Sequence, residues 1–152
     1  MGRRMSPERE AEFSELERFL EYYATTVMGI DRAKPIHPSN ALMEIIAKAG
    51  RSKALEGLRQ AIGDCIEMTQ DKSVPWVQQL DAECAARGLV TLSHLRVRYW
   101  AKYKAILKRG RIKNETEYYL IAGLAKDLAV PIAESERATL ERLLEQFESR
   151  VS

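Results

Sequence analysis

The chain has 152 residues and a mass of 17.3 kDa, enough for one domain with a true core and short for two. Apolar residues make up 45% and charged residues 30%, which excludes a disordered composition, and the two cysteines, Cys65 and Cys84, exclude a disulfide framework. No run of eighteen apolar residues and no charged-then-apolar leader is found, so the expectation is a soluble, cytoplasmic protein with no membrane partner.

Ser6 followed by Pro7 opens the first predicted helix, because Ser caps a free backbone N–H and Pro gives up a donor that had no partner. Phe13, Leu16, Leu20, Tyr23, Val27 and Ile30 then recur at spacings of three and four, which predicts one helix over 7–30. Pro35 and Pro38 mark 31–39 as a linker with His37 on its surface, and Pro35-Ile36-His37-Pro38 reads as a stiff connector rather than a PxxP ligand. Ser39 or Asn40 is expected to cap a short helix through Leu42, Ile45, Ile46 and Ala49, ended by Gly50. Ser52 is expected to open the next, with Leu55, Leu58, Ile62, Cys65, Ile66 and Thr69 on one face, and Gly57 and Gly63 let a neighbouring helix come close.

Ser73 with Pro75 repeats the opening signal before Trp76, Val77, Leu80 and Cys84, and Gly88 closes that helix. Thr91 caps a predicted continuous helix with Leu92, Leu95, Tyr99, Tyr103 and Ile106 inside, stopped at Gly110. Asn114 with Glu117 resembles a capping box ahead of Tyr118, Ile121, Ala125 and Leu128, and Pro131 ends that helix. Ser135 is expected to cap the last helix, with Leu140, Leu143, Leu144, Phe147 and Val151 apolar. The fold class that follows is all-α: a single irregular bundle of about seven helices with short turns, one domain over 1–152, with the remaining helices in 40–150.

A net charge of +2 hides strong segregation. Residues 1–83 hold eleven cations against fourteen carboxylates, residues 84–113 hold nine and none, and residues 114–152 hold four and eight. On a continuous helix His94, Arg98, Lys102 and Arg109 form one row, and Arg96, Trp100, Lys104 and Lys108 another. Like charges four residues apart oppose helix formation, so these rows need anions alongside. The acidic terminal helices of the same chain or of a second copy would supply them, or an external polyanion would.

The candidate binding residues are therefore Arg96, Arg98, Trp100, Lys102, Lys104, Lys108, Arg109 and Arg111. The leading reading is a non-catalytic helical interaction module that associates with a protein partner or a second copy of itself. The alternative is a nucleic-acid-binding module using 87–113, with Lys and Arg on phosphates and Tyr99, Trp100 and Tyr103 stacking on bases.

Catalytic signals are thin. His37 and His94 belong to no metal-ligand spacing, and the glycines show neither dinucleotide nor phosphate-loop spacing, so no catalytic residue, metal or cofactor is expected. Cys65 and Cys84 fall on apolar faces where a thiol is inert, although spacing alone permits a Cys84–His94 pair. Met1-Gly2 with Ser6 fits a permissive acylation pattern, and one acyl chain anchors only marginally.

Overall fold

The computed structural model describes residues 5–126, 130 and 132–151. These form eight α-helices and no strand: α1 (Pro7–Tyr22), α2 (Pro38–Ala49), α3 (Arg51–Met68), α4 (Val74–Ala86), α5 (Leu92–Tyr99), α6 (Ala101–Arg109), α7 (Glu115–Lys126) and α8 (Glu134–Val151). A single π-helical turn, Tyr23–Val27, extends α1. The all-α bundle is thus as the patterning indicates, with one helix more than the spacing suggests.

α3 is the central element. It packs on α1, α2 and α5, and its Ala54, Leu55, Leu58, Ile62, Cys65 and Ile66 are buried. Opposite them lie Phe13, Leu16, Phe19 and Leu20 of α1, so the stripe read from the sequence is the core seam, with Phe19 added to it. α7 and α8 pair with each other, with Tyr118 stacked on Phe147 at a centroid distance of 5.1 Å. Arg137 of α8 donates to the carbonyls of Ala125 and Val130, and Arg150 to that of Ile112. These bonds fasten the last helix to both ends of α7.

Several helix starts follow their caps. Ser6 accepts from the Arg9 amide, Ser73 from Trp76, Thr91 from His94 and Asn114 from Glu117, and Gly110 ends α6 in the left-handed conformation. The Glu117 carboxylate reaches back to the Lys113 amide, one residue beyond a standard capping box.

Other expectations are corrected. The first helix is α-helical only to Tyr22, because the chain widens into the π turn and leaves Val27 and Ile30 half-buried. His37 is not a surface linker residue: it is fully buried and caps α2, which begins at Pro38. Its Nδ1 accepts the Ser39 amide at 3.1 Å, and its Nε2 lies 2.8 Å from the Thr25 hydroxyl, so the ring ties the π turn to α2. Asn40, expected as a cap, instead binds the Arg32 side chain and the carbonyls of Arg32 and Lys34. Gly50 alone joins α2 to α3, so Ser52 lies inside the first turn of α3. Ser135 likewise lies inside α8, and Val151 is exposed. Gly57 does admit a neighbour, with Ile45 of α2 placed 3.6 Å from where its Cβ would stand, whereas Gly63 meets nothing. Met1, Gly2, Arg3, Arg4, Leu128 and Pro131 lie outside the described residues. Among the described residues, no helix is long and apolar enough to cross a membrane.

The largest departure lies in the basic segment. The predicted continuous helix from Thr91 to Gly110 is broken at Trp100, whose backbone is extended (φ −78°, ψ 109°). Its amide bonds the Arg96 carbonyl and closes α5, and its carbonyl takes the Lys104 amide and starts α6. The break turns Leu92, Leu95, Trp100, Tyr103 and Ile106 all into the core. No Pro or Gly announces it, and the two basic rows drawn on one straight helix do not exist.

Candidate functional site

The cations of 87–113 meet three different fates. The first group is engaged by side chains or backbone of the fold, most of it by carboxylates. Arg98 on α5 pairs with Glu15 of α1 and donates from Nη2 to the Tyr99 hydroxyl at 2.9 Å. That hydroxyl donates to Glu12 Oε2 at 2.6 Å, and Glu12 also receives both arms of Arg59 from α3, at 2.9 and 2.6 Å. The bidentate Arg59 contact holds the Glu12 carboxyl down to about 2, against the opposing pull of burial and helped by Tyr99. Burial first, and then the bond to Glu12, pushes the Tyr99 phenol up to about 12. Lys102 bonds Gln70 and lies 3.8 Å from Glu67 of α3, while Arg109 pairs with Glu117 of α7. Arg87 lies over the Tyr22 ring and bonds the Glu83 carbonyl. The N-terminal helix does provide counter-ions, as the charge segregation suggests. The last helix gives the basic segment no ion pair among the described residues.

The second group is buried. Arg96 is only 9% exposed, lies over the Trp100 ring at 4.8 Å and donates from Nη2 to the Thr69 carbonyl at 2.8 Å. Burial lowers its pKa, opposed by Asp81, which is itself bonded to the Ser93 amide and hydroxyl. Trp100 is 3% exposed. Neither presents a face to a macromolecule, because both are packed beneath the surface the helical rows implied.

Arg96 and Trp100 instead line a cleft of about 870 Å³ between the α3–α4 connection, α6 and α7. Val77, Ile106, Leu120 and Leu124 give it apolar walls, and Lys72, Lys102 and Asp71 stand among its polar residues. Sequence reasoning missed this cleft because its walls come from five separate parts of the chain. The local signal was the four-residue spacing of Arg96 and Trp100.

The third group stays outside. Lys104, Lys108, Arg111 and Lys113 are exposed and make no ion pair among the described residues.

The thiols match their apolar setting. Burial, with Asp64 nearby, pushes Cys65 up to about 12, and burial with Asp81 and Glu83 pushes Cys84 up to about 11. Protonated at neutral pH, both are poor nucleophiles. His94 is engaged by the Thr91 hydroxyl at 2.8 Å rather than by Cys84. Asp64 is exposed, and Glu67 lies 3.8 Å from Lys102.

No protein-family model, curated protein or solved structure matches the chain.

Proposed function

We infer that the chain is a non-catalytic helical interaction module that associates with acidic protein surfaces, a second copy of itself among them. The observation that carries this reading is the division of the basic segment: Arg98, Lys102 and Arg109 have carboxylates in the fold, whereas Lys104, Lys108, Arg111 and Lys113 have none within ion-pair distance. A complementary surface exists on the same chain, since Glu141 and Glu145 on α8 are exposed and make no ion pair among the described residues. In a two-fold dimer the strip of one copy would meet α8 of the other twice, and the charges would set orientation and association rate more than affinity.

The nucleic-acid reading rests on the same four cations. Its stacking component is weakened, because Trp100 and Tyr103 are buried and the Tyr99 hydroxyl is committed to Glu12. Sedimentation equilibrium at low and high salt tests the preferred reading. The wild type should associate at low salt, and the double variant Lys104→Glu, Lys108→Glu should associate roughly tenfold more weakly. Mixing that variant with Glu141→Lys, Glu145→Lys should restore association between the two species. A monomer at every salt, together with salt-dependent oligonucleotide binding lost in the lysine variant, would reverse the order of the readings.

A further inference from the structure

We propose that the cleft between α4, α6 and α7 is a binding site for a small monocarboxylic acid with an apolar body, its carboxylate held by Arg96 and Trp100. The starting point is a pair of donors left without acceptors in the interior. Arg96 Nε and Trp100 Nε1 are both inaccessible to solvent and have no hydrogen-bond partner. Of the guanidinium, only Nη2 is engaged, by the Thr69 carbonyl. Arginine and the indole nitrogen are donors only, so neither atom can be satisfied by turning a hydroxyl or exchanging a tautomer. A buried polar group is normally paired, and a buried cation normally has a counter-ion or several acceptors. Here no carboxylate lies within ion-pair distance of Arg96 among the described residues; Asp81, bonded to Ser93, supplies a negative charge only from farther off.

The surroundings define the missing group. Both residues line a cleft of about 870 Å³, within the range of small-molecule sites, so the two unpaired donors belong to side chains that border one space. One buried cation matches one negative charge; a phosphate monoester would bring nearly two. The planar guanidinium fork and a neighbouring N–H suit the planar, two-oxygen carboxylate. Val77, Ile106, Leu120 and Leu124 offer the rest of the molecule an apolar bed. Asp71 and Lys72 are neighbours in the exposed α3–α4 connection and offset one another there, and Glu117 is occupied by Arg109 and the Lys113 amide. Lys102 is exposed, bonds Gln70 and lies 3.8 Å from Glu67, so the buried cation of the cleft is Arg96. Seating the acid requires a small shift of the side chains that now close over Nε and Nε1, which ligand binding commonly brings.

This site is separate from the exposed strip of Lys104 to Lys113, so it stands or falls independently of the association reading. The test is titration of the 15N-labelled full chain with phenylacetate and 4-methylpentanoate, each beside its neutral amide, and with phenyl phosphate. The readout is the Trp100 indole N–H resonance, distinguished from that of Trp76 by Trp76→Phe. The acids should move the Trp100 signal saturably and raise the melting temperature, and the amides and phenyl phosphate should bind at least roughly tenfold more weakly. Arg96→Gln should abolish the response to acid, and Trp100→Phe should weaken it in a thermal-shift readout. If Arg96→Gln does not fold, the contrast between acid and amide in the wild type decides. Equal responses to acid and amide, a shift at Trp76 alone, or no movement of the Trp100 signal by any acid would overturn the assignment.

Discussion

α5 and α6 follow one another with a single residue between them, yet the fold engages both cations of α5 and leaves two of the four on α6, Lys104 and Lys108, outside. On α5, Arg98 lies against the acidic face of α1, and the chain Arg59–Glu12–Tyr99–Arg98–Glu15 knits three helices together. On α6, Lys102 and Arg109 have carboxylates on α3 and α7, whereas Lys104 and Lys108 are exposed and make no ion pair among the described residues. α6 is the more densely cationic of the two, with Lys102, Lys104, Lys108 and Arg109 against Arg96 and Arg98. What differs is whether a neighbouring helix brings an acid within ion-pair distance of each cation. Cationic sequence alone therefore does not separate a structural charge from one held out for a partner.

The comparison can be broken most severely from beneath. Leu16 is fully buried on α1, next to Glu15 and one turn on from Glu12, in the seam beneath the acids that hold α5. Leu16→Ala should cost about 2–5 kcal/mol on thermal or denaturant unfolding, and a wild-type melt would show that this seam does not carry the fold. A smaller effect should come from the network itself. Because the Glu12 carboxyl is held down to about 2, from an ordinary value of 4.5, by Arg59 and Tyr99, its contribution is complete above pH 4.5 and is lost as pH falls toward 2. Discounted for solvent screening, this amounts to about 1–2 kcal/mol. Glu12→Gln should flatten that part of the stability–pH profile, and an unchanged slope would refute the coupling. The smallest effect belongs to α6, where Lys104→Ala with Lys108→Ala should leave stability within about 0.5 kcal/mol per site while weakening association. A larger loss would mean that these lysines also serve the fold.

Much of this architecture is readable in the residues. The caps at Ser6, Ser73, Thr91 and Asn114 and the apolar stripes of α1, α3 and α8 are local signals, and local signals survive folding. The failures share a cause. Trp100 breaks a helix without any breaker residue because tertiary burial of a large ring outweighs the modest cost of interrupting helical hydrogen bonds. His37 resembles a loop residue, yet it is buried because Thr25, twelve positions earlier, supplies its partner. Likewise the segregation of charge indicated that the basic stretch needed anions, but the division into paired, buried and exposed cations depends on which helices pack together. The cleft was the least legible of all, since no short stretch of chain contains more than a fragment of its wall.

The link between α2 and α3 has a consequence for how this protein can vary. Gly50 closes one helix through its amide, to the Ile46 carbonyl, and opens the next through its own carbonyl, to the Ala54 amide, at φ 87° and ψ 172°. That backbone shape is open to glycine and strained for nearly any other residue. With a single residue as the whole connection, adding or deleting one position there would swing the inward side of α2 through about 100° around its own axis. Leu42 would leave the core and a solvent-facing neighbour would take its place. At this joint the chain has no slack.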